Sequence, residues 1–133
     1  MTHHAILGIG SNVPPRLDNI GRALSLLALY GDVMDVSEPV ESADDTGLGA
    51  PYINVAVAFR TCLDSARLAE HISGIERALG RTGDSKVTGT MPLDIDTVVW
   101  DGNIISAYDY NRPYFITCRQ SLDRSCEVAT AKP

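Results

Sequence analysis

Residues 52–59 read Tyr-Ile-Asn-Val-Ala-Val-Ala-Phe. Ile53, Val55, Val57 and Phe59 recur at period two, so one face of an extended segment is apolar while the other carries Tyr52 and Asn54. Successive side chains of a strand point to opposite faces, which makes this stretch the clearest strand of the chain. A helix follows it. Asp64 or Ser65 supplies the cap, Leu68, Ile72, Ile75 and Leu79 form one apolar stripe, and Gly80 ends it.

The same strand-then-helix order precedes it. His4–Ile9 is an apolar run ending in Gly10-Ser11-Asn12, and Pro14-Pro15 suits a helix entry. Leu17, Ile20, Leu24, Leu27 and Tyr30 mark a helical face, with Gly31-Asp32 as the stop. Val33–Ser37 is expected as a strand, and 41–51 and 81–91 as loops. Leu93–Trp100 is a further strand, turning through Asp101-Gly102 into Asn103-Ile104-Ile105. A last strand is expected at Tyr114–Cys118 and a loose tail over 123–133. Strand, helix, strand, strand, helix, strand describes a ferredoxin-like α+β fold, a mostly antiparallel sheet with two helices on one face. The expectation is one domain over 1–122.

Composition narrows the function. The 133 residues are 44% hydrophobic and 21% charged, with 11 Lys plus Arg against 17 Asp plus Glu and a net charge of −6. A nucleic-acid partner held through a broad basic face is excluded, as is a polybasic membrane-surface role. No apolar run approaches the roughly 20 residues of a membrane span. Cys62, Cys118 and Cys126 are widely spaced and read as free thiols. A cytoplasmic monomer is expected.

Asp94 and Asp96 are the sharpest chemical signal. Two apart in a strand, they share a face, and two like charges held so close suit a divalent cation such as Mg²⁺ with substrate phosphates. An exposed edge strand is the competing explanation. Gly8-Ile9-Gly10 lacks the spacing of a dinucleotide loop, no P-loop is present, and no Ser or Cys has a convincing His partner. Tyr52 and Asn54 could grip a heterocycle by stacking and paired hydrogen bonds, or form the wet side of a half-buried sheet.

Ile9-Gly10-Ser11-Asn12, Pro51-Tyr52-Ile53-Asn54, Ile75-Glu76 through Gly80-Arg81, and Leu93-Asp94-Ile95-Asp96 stand in the order and spacing of one family. Over residues 4 to 105 the chain resembles 6-hydroxymethyl-7,8-dihydropterin pyrophosphokinase. The resemblance implies the same ferredoxin-like fold and transfer of pyrophosphate from ATP to the pterin hydroxymethyl oxygen in folate biosynthesis, releasing AMP. It implies Asp94 and Asp96 as ligands of two Mg²⁺ ions, with Asp96 and Arg81 catalytic. Glu76 and Arg81 would serve ATP, with Lys86 and Arg112 as compensating cations on the ATP side (Arg112 matching the family only across a gap), and Thr46, Gly47, Leu48, Tyr52, Asn54 and Phe115 (or Tyr114) would serve the pterin. The chain departs from the family pattern at Met91 and Gly83, where arginines are expected, and in Thr88-Gly89-Thr90-Met91, which replaces a tryptophan-glycine-proline-arginine run. A family-derived pterin or nucleotide binder without transfer activity, and an unrelated interaction module, are the alternatives.

Overall fold

A computed structural model describes the backbone of residues 1–130 and the side-chain surroundings through Leu122. Its elements are β1 (His3–Ser11), α1 (Arg16–Leu27), β2 (Asp32–Val36), β3 (Val40–Ser42), β4 (Tyr52–Thr61), α2 (Ser65–Ala78), α3 (Ser85–Thr88), β5 (Asp94–Trp100), β6 (Asn103–Ile104), α4 (Ala107–Tyr110) and α5 (Pro113–Thr130). The strands form one antiparallel sheet in the order β2-β4-β1-β5-β6, with β3 on the side of β4. Each long crossover skips one strand: α1 carries the chain from β1 past β4 to β2, and α2 carries it from β4 past β1 to β5. This is the ferredoxin-like α+β arrangement.

The period-two alternation decides which side of the sheet the helices cover. Leu7 and Ile9 of β1, Val55, Val57 and Phe59 of β4, and Leu93 and Ile95 at β5 face Ile20, Ala23 and Leu27 of α1 and Leu68, Ile72 and Ile75 of α2 in one buried cluster. Burying each of the Val, Leu, Ile and Phe side chains in this cluster contributes about 1.5–3 kcal/mol. Asp64 caps α2 by accepting the Arg67 N–H at 2.8 Å. The α1 stripe differs in one place from its expected form. Leu17 is 57% exposed, while Asn19 is buried and donates to the Val13 carbonyl at 2.9 Å. The β5–β6 hairpin turns where expected, with φ of +48° at Asp101 and +81° at Gly102.

Four elements were not expected, one of them the short α3 inside the 81–91 segment expected as a loop. Tyr114–Cys118 is not a strand but lies in α5, which packs on the opposite face of the sheet. There Phe115, Cys118 and Leu122 meet Ala56, Val98 and Val99. Their spacing of three and four residues is helical, but the aromatic and β-branched run Tyr-Phe-Ile-Thr reads as extended when judged without Leu122. α5 continues to Thr130, beyond the Leu122 boundary, and residues 131–133, with the side chain of Cys126, lie outside the described residues. β3 pairs Val40 with Asn54 and Ser42 with Tyr52, running into the segment expected as loop from residue 41, and is too short to show a period. α4 is a single turn capped by Ser106, whose Oγ accepts the Asp109 N–H. Among the described residues no helix is long and apolar enough to cross a membrane.

Because α5 is seated by its buried stripe, Leu122→Ala is expected to cost about 2–5 kcal/mol in urea unfolding, whereas Thr117→Ala on its exposed side is expected to stay within about 0.5 kcal/mol. Equal effects would show that α5 does not pack on the sheet.

Candidate active site

The face of the sheet shared with α5 is not fully covered, and a cavity of about 670 Å³ opens there, within the range of small-molecule sites. Its floor is the central strand. Gly10 stands opposite Asn54 on one side and Asp94 on the other, and Gly8 stands between Ala56 and Asp96. Two rows thus run across three strands, Asn54–Gly10–Asp94 and Ala56–Gly8–Asp96, and each middle position lacks a side chain. A Cβ at Gly10 would lie 2.9 Å from Asn54 Oδ1, and one at Gly8 would lie 3.4 Å from the Phe115 ring.

Asn54 forms one wall. Its Nδ2 donates to the Val40 carbonyl at 3.0 Å and to Ser42 Oγ at 2.8 Å, so β3 orients the amide. Tyr52 shares that face, and burial pushes its phenol up to about 12. Asp94 and Asp96 form the facing wall, both turned away from Ile95, which joins the helical core. Arg81 Nη1 donates to Glu76 Oε2 at 2.7 Å and to Asp94 Oδ1 at 3.1 Å, and Glu76 Oε2 also accepts the Ile95 N–H at 2.8 Å. Glu76 therefore holds Arg81 against β5 and satisfies a backbone donor on the strand's open edge. Its own carboxyl is raised, by burial first, against the lowering effects of the Ile95 N–H and Arg81. Asp96 is held well above its ordinary value of 3.8 by burial and then by the charges of Asp94 and Asp109.

The far wall comes from the segment after the hairpin. Tyr108, Asp109, Arg112, Tyr114 and Phe115 all reach the cavity. Arg112 makes a two-pronged ion pair with Asp45, at 2.6 and 2.8 Å, and lies between the Tyr108 and Tyr114 rings at 5.0 and 5.1 Å. That pair ties the 43–51 loop to the start of α5. Burial pushes Tyr114 up to about 12. Phe115 borders the cavity from its base, 2% exposed, with Cys118 and Leu122 behind it.

Of the residues singled out in the sequence, Glu76, Arg81, Lys86, Asp94, Asp96, Arg112, Tyr52, Asn54 and Phe115 line this one cavity. Thr46, Gly47 and Leu48 do not. The Asp44 carboxylate accepts from Thr46 Oγ1 and from the Gly49 N–H, which closes the loop on itself and leaves Leu48 in solvent. The loop presents Asp44 and Asp45 instead. Those two, with Asp109, Tyr108 and the glycine floor, were missed. The glycines were judged as a loop motif, although their period of two was itself the signal that both face one side of a strand. Met91, where the resemblance expects an arginine, is buried. Six carboxylates (Asp44, Asp45, Glu76, Asp94, Asp96, Asp109) therefore face three cations (Arg81, Lys86, Arg112). Among the described residues no three His, Cys, Asp or Glu side chains converge on one point. A cation here would rest on two carboxylates and complete its shell with substrate oxygens and water, as Mg²⁺ does.

A sequence profile of the 7,8-dihydro-6-hydroxymethylpterin-pyrophosphokinase family matches residues 6–123. The chain belongs to this family. It is 32% identical over 101 residues to the 2-amino-4-hydroxy-6-hydroxymethyldihydropteridine pyrophosphokinase of Synechocystis sp., covering 74% of this chain and 51% of that protein. It is 29% identical over 101 residues to the folate synthesis bifunctional protein of Arabidopsis thaliana, covering 71% of this chain and 20% of that protein. The chain thus spans about half the length of the first relative and about a fifth of the second. The family match takes in every cavity wall, from the glycine floor to the aromatic residues of α5.

A carboxyl that binds its proton more tightly folded than unfolded favours the folded state while protonated. The stability lent by Asp96 is complete below the ordinary carboxylate range and is lost as pH rises through its raised titration point. The ligand-free protein is expected to melt at lower temperature as pH climbs from that range to neutrality, and Asp96→Asn is expected to flatten the slope. Parallel melting curves for the two proteins would rule out a burial-raised Asp96.

Proposed function

We propose that the cavity transfers the pyrophosphoryl group of ATP to the hydroxymethyl oxygen of 6-hydroxymethyl-7,8-dihydropterin, releasing AMP. One observation carries this reading: the row Asn54–Gly10–Asp94, in which an amide that can read a heterocycle edge and a carboxylate that can hold a cation are separated by a strand with no side chain. Two inter-strand steps span about 10 Å, the scale of a bicyclic ring with its hydroxymethyl arm. The ring would lie over Gly10 with its edge on Asn54, flanked by Tyr52, and with Phe115 at the base. Asp94 and Asp96 would hold Mg²⁺, two ions in our reading, and the metal would neutralise the triphosphate when bound.

The chain's own residues then position. Glu76 aims Arg81, and Arg81 steadies Asp94 and would add its charge beside the phosphates. Lys86 and Arg112 add charge from the two loops. In-line transfer between two bound substrates needs orientation and charge neutralisation, and no covalent nucleophile. That suits a cavity with no Ser–His or Cys–His pair among its lining residues.

The assay is AMP release from Mg-ATP and the reduced pterin. Turnover is expected in the wild type, and Asp96→Ala is expected to lower kcat at least about 10²-fold. AMP release that survives Asp96→Ala unchanged would remove these carboxylates from the chemistry. A second reading, a pterin or nucleotide binder without transfer, is favoured by one feature: Arg112 and Arg81 already have carboxylate partners. Binding of both ligands with no AMP would select it. If Arg112 serves the phosphates, Asp45→Asn is expected to tighten Mg-ATP binding severalfold in calorimetry by releasing that side chain. Weaker binding would mean that Asp45 supports the site instead.

A further inference from the structure

Asn12 sits just past the end of β1, 4% exposed and outside the cavity lining. Its side-chain Nδ2 donates to the Gly89 carbonyl at 2.7 Å and to the Ala50 carbonyl at 3.1 Å, and its Oδ1 accepts the Met91 N–H at 2.7 Å. Its own backbone N–H donates to the Met91 carbonyl at 3.0 Å. A primary amide has two N–H hydrogens and one carbonyl oxygen. Both hydrogens and the oxygen are engaged with protein backbone. Ala50 belongs to the segment that brings Asp44 and Asp45 to the cavity, and Gly89 and Met91 belong to the one that brings Lys86.

Beside the amide the two segments touch directly. A Cβ at Gly49 would lie 2.0 Å from the Gly89 carbonyl oxygen and 2.8 Å from Asn12 Nδ2, and Gly89 has a φ of +73°. Only two glycines allow backbones this close, and the second also needs the left-handed conformation. One buried amide and one glycine pair therefore join the loops on either side of the cavity mouth.

We propose that Asn12 is a positioning residue, the joint that holds the 43–51 loop and the 82–91 segment in register, so that a ligand ordering one loop favours the ligand that binds against the other. The identity of the two ligands rests on the function proposed above; the joint does not. Two sites coupled through a shared element change each other's affinity by the same factor, commonly 5- to 150-fold.

The discriminating variant is Asn12→Asp. It keeps the acceptor for the Met91 N–H but turns the donor to Gly89 and Ala50 into a carboxylate oxygen facing two carbonyls. Gly49→Ala wedges the same joint from the other side and leaves Asn12 in place. Hydrogen exchange on the ligand-free protein is expected to speed about tenfold or more over both 44–50 and 84–90 in each variant, with β1 and β4 unchanged. The double variant is expected to be no worse than the poorer single one, since both break one joint. Calorimetry on the wild type is expected to show tighter pterin binding when a non-hydrolysable Mg-ATP analogue is present. In the variants that ratio is expected to fall towards one, while the affinity for either ligand alone changes less than about threefold. Loosening of one loop only, loss of protection across the sheet, additive effects, or an unchanged ratio would overturn the proposal. A wild type that binds neither ligand would defeat the proposed function, and the exchange results would then decide the joint alone.

Discussion

On the cavity side of the central strand, Gly8 and Gly10 leave the pleat bare at two successive inward positions, and every other feature of the site is arranged around that gap. A side chain at Gly10 would meet Asn54 Oδ1, and a side chain at Gly8 would press on Phe115. The same strand turns Leu7 and Ile9 to the opposite face, where they anchor both long helices. One nine-residue strand thus builds core on one side and a floor on the other, and period-two alternation makes the two roles inseparable. A slip of one residue in its pairing would exchange them.

Around this floor charge is unevenly matched. Arg81 and Arg112 are each committed to carboxylates, and Asp96 is half-buried with the charges of Asp94 and Asp109 acting on it. Buried like charges are costly and are relieved by protonation or by a bound cation. The cavity is therefore electrostatically incomplete by itself, in the way expected of a site that receives metal and phosphate together. At Met91, where the resemblance led to the expectation of an arginine, the buried backbone is hydrogen-bonded to Asn12. The 82–91 segment thus uses that position for anchoring and supplies positive charge only through Lys86.

Much of this was legible along the chain. The alternation of residues 53–59 places Asn54 on the polar face, and the same rule places Asp94 and Asp96 together, so both walls of the site follow from local periodicity. The α2 stripe and its Asp64 cap are equally local. α5 was misread because its helical spacing, Phe115–Cys118–Leu122, is masked by residues of high strand propensity. β3 escaped because three residues cannot display a period. The resemblance assigns the Thr46–Leu48 tip to the pterin; in the structure the Asp44 side chain closes that turn and the tip points outward, a direction no local pattern announces.

What the sequence by itself determined is which face each residue of a strand or helix presents, because that depends only on backbone geometry and the pattern of apolar residues. The ferredoxin-like order and the identity of the paired aspartates follow from it. What only the tertiary structure decided is adjacency across strands and between loops. That Gly10 lies between Asn54 and Asp94, that Asp45 holds Arg112, and that Asn12 joins Ala50 to Gly89 depend on contacts between residues 38 to 84 positions apart. Such contacts are set by register and by how the whole core packs, and no local window of sequence contains both partners.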